Sequence, residues 1–171
     1  MVRRLARITA IAIGEGKSEA VFLRHIKAIY LLRGCGITLK VKEGFGKGGK
    51  GVIDYALATP DLRDYDVRIA MLDTDKDWDA VQQQRADEAG ITVVACTPCL
   101  EAVLLRMHGV TRTRESRQHK NAFRQRFGGD AHEESVYDRH FARDFLDAAR
   151  EHCAELRWLF LALGIPEDPQ S

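Results

Sequence analysis

The stretch that decides the fold is Ile11-Ala-Ile-Gly-Glu-Gly-Lys-Ser-Glu19. It completes an apolar run that predicts a buried strand over about residues 7–13. Two glycines flank Glu15, and Ser18 is expected to be the N-cap of a helix that runs to about residue 33. Because open α/β sheets bind ligands at the C-terminal ends of their strands, this arrangement predicts a functional acid at such an end.

A second acidic segment follows the next strongly apolar run. Residues 67–72 predict another buried strand, and Asp73-Thr-Asp75 comes directly after it. Parallel strands place their C-terminal ends on one edge of a sheet. Glu15 would therefore lie near Asp73 and Asp75 if these two strands are neighbours, an adjacency that the pattern suggests but does not establish.

Strands and helices alternate along most of the chain. Further strands are predicted over residues 37–41 and 91–95, and helices over 52–58, over 77–89, from Thr97 as N-cap, and over about 138–163. This alternation predicts an α/β fold, a mostly parallel sheet with helices on both faces plus C-terminal helices. We interpret the chain as one domain, with a core over about residues 7–108 and a helical extension over about 109–165.

Composition and charge exclude several classes of protein. The 171 residues carry 26 Lys and Arg against 25 Asp and Glu, so the whole chain is not a polycation. No apolar stretch approaches the roughly 20 residues that a membrane-spanning helix needs, and the first apolar run is too short for a signal peptide. We therefore expect a cytoplasmic protein. The cysteines at 35, 96, 99 and 153 lack framework spacing and are expected to be buried and reduced.

The two acidic segments together suit a divalent cation. Neighbouring carboxylates repel one another and raise each other's pKa values, and a bound cation removes that conflict. Mg²⁺ prefers oxygen ligands and is usually held by one or two carboxylates together with phosphate oxygens. The pattern therefore predicts Mg²⁺ or Mn²⁺ on Glu15, Asp73 and Asp75, with a solvated acidic turn over residues 73–79 as the alternative.

Basic residues are concentrated on either side of an acidic block. Residues 106–126 hold six Arg and one Lys against one Glu, whereas residues 61–88 hold nine acids against four bases. An imbalance of this size over residues 106–126 favours phosphate contact over a merely solvated face. The residues expected to bind nucleic acid are Lys47, Lys50, Arg112, Arg114 and Arg117.

The acids at the two strand ends resemble the signature of the Toprim domain. That domain is shared by topoisomerases, DnaG-type primases, OLD-family nucleases and RecR-type repair proteins. It carries a glutamate after its first strand and a DxD after its third, and these match Glu15, Asp73 and Asp75. The resemblance covers about residues 7–108 and implies a Toprim-like fold.

One branch of that family is more similar to this chain. The sequence Glu15-Gly-Lys-Ser-Glu19 and the later Thr97-Pro-Cys-Leu-Glu101 are similar to the small RloB-like proteins of the OLD side. Those proteins carry EGxTE and a PCFE-like helix, so Ser18 and Leu100 are departures from the usual Thr and Phe.

The resemblance implies a metal-dependent phosphodiesterase, a nuclease. It assigns metal binding to Glu15, Asp73 and Asp75, with Glu19 and Glu101 serving a second ion or acting as general base. OLD-type nucleases are understood to use a lysine, and Lys120 is the candidate here. The alternatives for Glu19 and Glu101 are a favourable first-turn acid and a structural ion pair with an arginine.

Two other functions stay open at this point. A non-catalytic Toprim module would bind nucleic acid or a partner without cleaving, and a regulatory subunit would act with a separately encoded ATPase. DNA is favoured over RNA as the partner. The sequence does not distinguish an endonuclease from an exonuclease, and it does not establish that the site is catalytically active. It is compatible with a homodimer but does not fix the oligomeric state.

Overall fold

The computed structural model describes residues 7–167, whose centre is a sheet of four parallel strands. The strands are β1 (Ile8–Gly14), β2 (Ile37–Glu43), β3 (Val67–Asp73) and β4 (Thr92–Cys96). Their order in the sheet is β2-β1-β3-β4, so β1 pairs directly with β3. The predicted α/β class and the inferred adjacency of these two strands are confirmed.

Helices connect the strands and form the C-terminal third. Those in the described part of the chain are α1 (Lys17–Tyr30), α2 (Gly48–Ala58), α3 (Ala80–Glu88), α4 (Leu100–Met107), α5 (Ser116–Phe127), α6 (Glu134–His140), α7 (Arg143–Ala149) and α8 (Ala154–Ala162). None of the helices over residues 7–167 is long and apolar enough to cross a membrane.

Two separate cores lie on the two faces of the sheet, and alternate residues of β1 and β3 fill both of them. In β1, Ala10 and Ala12 belong to the larger core, which also takes up α1 and residues of α4–α8. Ile11 and Ile13 belong to the smaller core with α2 and α3. Because both faces are covered, β1 is apolar at consecutive positions, as expected of a buried parallel strand.

The starts of α1 and α4 differ from the prediction because carboxylates, not the side chains of Ser18 and Thr97, accept their first N–H groups. Gly16, not Ser18, precedes α1, and its N–H donates to the Glu19 carboxylate at 2.8 Å. The later helix begins at Leu100 rather than after Thr97, and the Leu100 N–H donates to the Asp73 carboxylate at 2.9 Å. Long-range contacts therefore decide where α4 begins.

The predicted helix over 138–163 is wrong, since α6, α7 and α8 occupy this segment as three short helices. Arg150 is buried between α7 and α8 and donates to the Asp147 carboxylate and to the Pro166 carbonyl. These bonds hold a turn that brings Leu146 and Phe160 into the same core. The C-terminal helices thus share the larger core with the sheet.

The cysteine prediction holds for three of the four residues. Cys96, Cys99 and Cys153 are buried and free, whereas Cys35 is free but exposed, contrary to expectation. Cys35 lies in the turn that leads into β2, outside either core.

Candidate metal and nucleic-acid site

Five acidic side chains belong to the C-terminal edge of the sheet. Glu15 follows β1, Asp73 ends β3, and Asp75 comes two residues later. Glu19 and Glu101 lie in the first turns of α1 and α4. The chain leaves β1 toward β2 on one side and continues to β3 on the other. The acids thus flank the switch point, where open α/β sheets bind ligands.

Glu15 is half-buried and is held in place by the backbone of neighbouring segments. Its carboxylate accepts a hydrogen bond from the Asp73 N–H at 3.0 Å. Burial raises the pKa of Glu15, and the negative charge of Asp75 adds to this, against the lowering effect of the Asp73 and Gly48 N–H groups. Lys120 also lowers this pKa, so its positive charge acts at the strand end.

Asp73 is the most perturbed acid of the cluster. Only 8% of the residue is exposed. Burial, followed by the negative charges of Glu19, Glu101 and Glu15, raises the pKa of Asp73 to about 8, even though the Leu100 N–H bond lowers it. At neutral pH the metal-free protein therefore favours a proton shared within this cluster of acids.

Glu19 lies deep beside Asp73, and the backbone around it leaves no spare room. Burial, followed by the charges of Glu101 and Glu15, raises the pKa of Glu19 to about 7. A Cβ atom at Gly14 would lie 2.8 Å from the Glu19 Cβ and 2.7 Å from the Ala20 nitrogen, so this position requires glycine.

Glu101 is buried without the arginine partner that a structural ion pair would need. Only 6% of the residue is exposed, and among residues 7–167 no salt bridge includes it. The nearest arginine on the same helix, Arg106, instead binds the Glu155 carboxylate and the Thr97 carbonyl. The Glu101 charge acts on Asp73 and Lys120, which favours the site over the structural alternative.

Lys120 on α5 faces this cluster although the sequence resemblance did not extend to it. Desolvation opposes the charge of this exposed side chain, but the carboxylates of Glu101, Asp73 and Asp75 outweigh it and raise the pKa of Lys120. The ammonium group is therefore electrostatically coupled to three of the acids. Sequence reasoning named this lysine but could not place it, because the position of α5 depends on its packing against α4.

The residues expected to bind nucleic acid differ in their surroundings. Lys50 is 2.5 Å from the Asp54 carboxylate, which also pairs with Arg85, whereas Lys47 is exposed. In the part of the chain that the structure describes, no salt bridge involves Arg112, Arg114 or Arg117, whereas Arg124 further along α5 pairs with Asp130. The first two of these arginines line an open groove with side chains of α5.

The five acids offer the type of ligand atom that Mg²⁺ and Mn²⁺ prefer. The side chains offer only carboxylate oxygens, and their shared repulsion, seen in the raised pKa values of Asp73 and Glu19, is what a cation relieves. In the conformation described for residues 7–167, no three His, Cys, Asp or Glu side chains converge closely enough to hold a metal ion. The metal assignment stays a prediction.

Comparisons with protein-family models, with curated proteins and with solved structures find no match for this chain. The Toprim resemblance therefore also stays a prediction, and function must be inferred from the side chains at the sheet edge.

Proposed function

We propose that this chain hydrolyses phosphodiester bonds of nucleic acid with Mg²⁺ or Mn²⁺, as a Toprim-type nuclease. The observation that carries the proposal is the gathering of acids at the switch point, tied together by the Asp73 and Leu100 N–H groups, with Lys120 near enough for their charges to raise its pKa. Acids alone would suit a structural cation. A lysine beside the same acids adds the positive charge that a phosphate group needs in order to approach them.

Each group would have a distinct role. Glu15, Asp73 and Asp75 would hold one ion, and Glu19 with Glu101 would hold a second or accept the proton of the attacking water. When bound, the ions polarise the phosphodiester and lower the pKa of water. Lys120 would bind a non-bridging phosphate oxygen and stabilise the negative charge that grows there in the transition state.

Basic side chains would bind the rest of the strand. Arg112, Arg114 and Arg117 lie before and within the helix that carries Lys120, so a strand whose phosphate reaches Lys120 would pass near them. Such contacts with phosphates are independent of sequence and weaken as salt rises. In this proposal the favoured substrate is DNA, the protein acts in the cytoplasm, and a separately encoded ATPase is a candidate partner.

One observation favours the non-catalytic binding module as the second candidate. Backbone N–H groups already occupy carboxylate oxygens of Glu15, Glu19 and Asp73. Glu15 therefore also joins the ends of β1 and β3, Glu19 caps α1, and Asp73 joins β3 to the start of α4. These roles would keep the acids in a protein that only binds nucleic acid.

Cleavage assays with Glu101→Gln test the proposal. Purified protein is incubated with labelled single- and double-stranded DNA and RNA in Mg²⁺, in Mn²⁺ and in EDTA. We expect cleavage only with metal. Glu101→Gln should fold normally, bind at least as well as wild type and lose most cleavage, because it keeps the size of the side chain and removes its charge. Glu88→Gln, at an exposed acid that ends α3, is the matched control.

The outcomes separate the two candidates. If Glu101→Gln still cleaves but melts at a lower temperature, Glu101 is a structural residue and its catalytic role is wrong. If wild type binds nucleic acid yet cleaves nothing with either metal, the binding module replaces the nuclease.

A further inference from the structure

The loop between β2 and α2 lies directly on the strand end that carries Glu15. The Gly44 N–H donates to the Gly14 carbonyl and the Gly46 N–H to the Glu15 carbonyl, both at 2.7 Å. A Cβ atom at Gly44 would lie 3.1 Å from the Gly14 oxygen, so the two backbones are in close contact. The loop is therefore fixed against the acid cluster.

The far side of this loop is fixed as well. The Gly49 N–H donates to the Lys76 carbonyl at 3.1 Å, and the Lys50 N–H donates to the Asp77 carbonyl at 2.9 Å. These two carbonyls belong to the segment that follows Asp75. Residues 44–50 thus bridge the two acidic strand ends.

Phe45 sits at the exposed bend of the loop in a backbone conformation that large residues rarely adopt. Its φ is 67°, in the left-handed region, and 69% of the residue is exposed. Its ring meets that of Tyr55 edge-on, with 5.6 Å between the ring centroids. A strained, exposed aromatic residue that surrounding hydrogen bonds hold in place is typical of a ligand-contacting position.

The positive charge of Lys47, beside the ring of Phe45, complements the phosphate of a nucleotide. Lys47 is exposed two residues later and makes no salt bridge within residues 7–167, whereas Lys50 is paired with Asp54. An aromatic side chain and a free ammonium group therefore lie on one short loop next to Glu15. A nucleotide offers the complementary pair, a flat base and a phosphate.

We infer that Phe45 is a stacking platform for an unpaired base beside the phosphate bound at the acid cluster, with Lys47 on a neighbouring phosphate. This inference rests on the proposed function, since it needs nucleic acid at that cluster. Stacking on an aromatic ring is open to every base, because each base has a π-face. In an intact duplex both faces are covered by neighbouring bases, so the substrate class is single-stranded or locally opened nucleic acid.

Binding assays without cleavage test this platform. Fluorescence anisotropy, in EDTA and again with Ca²⁺ to neutralise the acids, compares a labelled single-stranded oligonucleotide with the blunt duplex of the same sequence. Phe45→Ala should lose about tenfold in affinity for the single strand and less than about twofold for the duplex. Phe45→Tyr should restore the single-strand affinity. Trp158→Ala, at another exposed aromatic residue, is the matched control and should change neither affinity.

A spectroscopic signal reports stacking directly. A 2-aminopurine base in the single strand should lose fluorescence when wild type or Phe45→Tyr binds it, but not when Phe45→Ala does. Because alanine is also strained at a positive φ, Phe45→Gly removes the ring while keeping the loop conformation, and it should behave like Phe45→Ala.

Most outcomes distinguish the platform from hydrolysis. Unchanged single-strand binding in Phe45→Gly, or equal losses on both substrates, would overturn the platform alone. No binding by wild type in either EDTA or Ca²⁺ would overturn it together with the proposed function. Binding of single strands that depends on Phe45, without cleavage in any metal, would refute the nuclease and leave the platform standing.

Discussion

Replacing Asp73 by asparagine should stabilise the metal-free protein above neutral pH. Asp73 is buried among three other acids, and its pKa is about 8. Asparagine keeps an oxygen at the position that accepts the Leu100 N–H bond, so the start of α4 keeps its partner. The substitution therefore removes the charge and little else.

The size of this effect follows from the pKa of Asp73. A rise of one pKa unit corresponds to about 1.4 kcal/mol, so moving the pKa from the ordinary 3.8 to about 8 would cost on the order of 6 kcal/mol for an isolated group. Burial is the largest cause of this rise, and Asp73 shares the added repulsion with Glu19 and Glu101, so we assign about half of the cost, roughly 3 kcal/mol, to its own charge. For a chain of this size that is roughly 6–12 °C in melting temperature.

The pH dependence has a defined sign. An acid whose pKa is raised by folding stabilises the folded state fully below about pH 4, and this stability is lost as pH rises toward about 8. Thermal unfolding in EDTA should therefore show the melting temperature of wild type falling between about pH 5 and pH 8. Asp73→Asn should fall less and should melt higher than wild type near pH 8.

The same scans repeated with metal complete the test. Mg²⁺ or Mn²⁺ should raise the melting temperature of wild type and should have little effect on Asp73→Asn. Asp64→Asn, at an exposed acid, should behave like wild type throughout. If Asp73→Asn melts below wild type near pH 8, or keeps the full shift with metal, the repulsive metal-binding cluster is refuted.

Three further perturbations address the same site. The rise in melting temperature with metal should be larger near pH 8 than near pH 6, because acids with pKa values of about 7 and about 8 must lose protons first; equal shifts would contradict this. Lys120→Ala should slow metal-dependent cleavage by about a hundredfold, with little loss of binding, whereas an unchanged rate would remove Lys120 from the reaction. Charge reversal of Arg112, Arg114 and Arg117 should weaken binding of nucleic acid equally for all sequences and should reduce the salt dependence of binding in titrations. Unchanged binding would mean that these arginines form only a solvated surface.

Much of the sheet could be predicted because its signals are local. Continuous apolar runs predicted β1 and β3, and acids directly after them predicted Glu15 and Asp73 at one edge. The C-terminal region could not be predicted in the same way. A continuous apolar stripe over 138–163 favoured one helix, but the chain forms three, and the turn held by Arg150 separates the last two. That turn depends on the contact of Arg150 with the distant Pro166 carbonyl, which periodicity does not reveal.

The sequence by itself determined the α/β class, the two acidic strand ends and the oxygen-rich chemistry that they offer. The tertiary structure alone decided that β1 and β3 are neighbours, that Lys120 lies within electrostatic reach of Glu101, and that the loop with Phe45 covers the end of β1. The physical reason is the separation in sequence of the residues that interact. Strand and helix signals arise from residues that are neighbours in sequence, whereas these three arrangements depend on how two cores pack on opposite faces of one sheet.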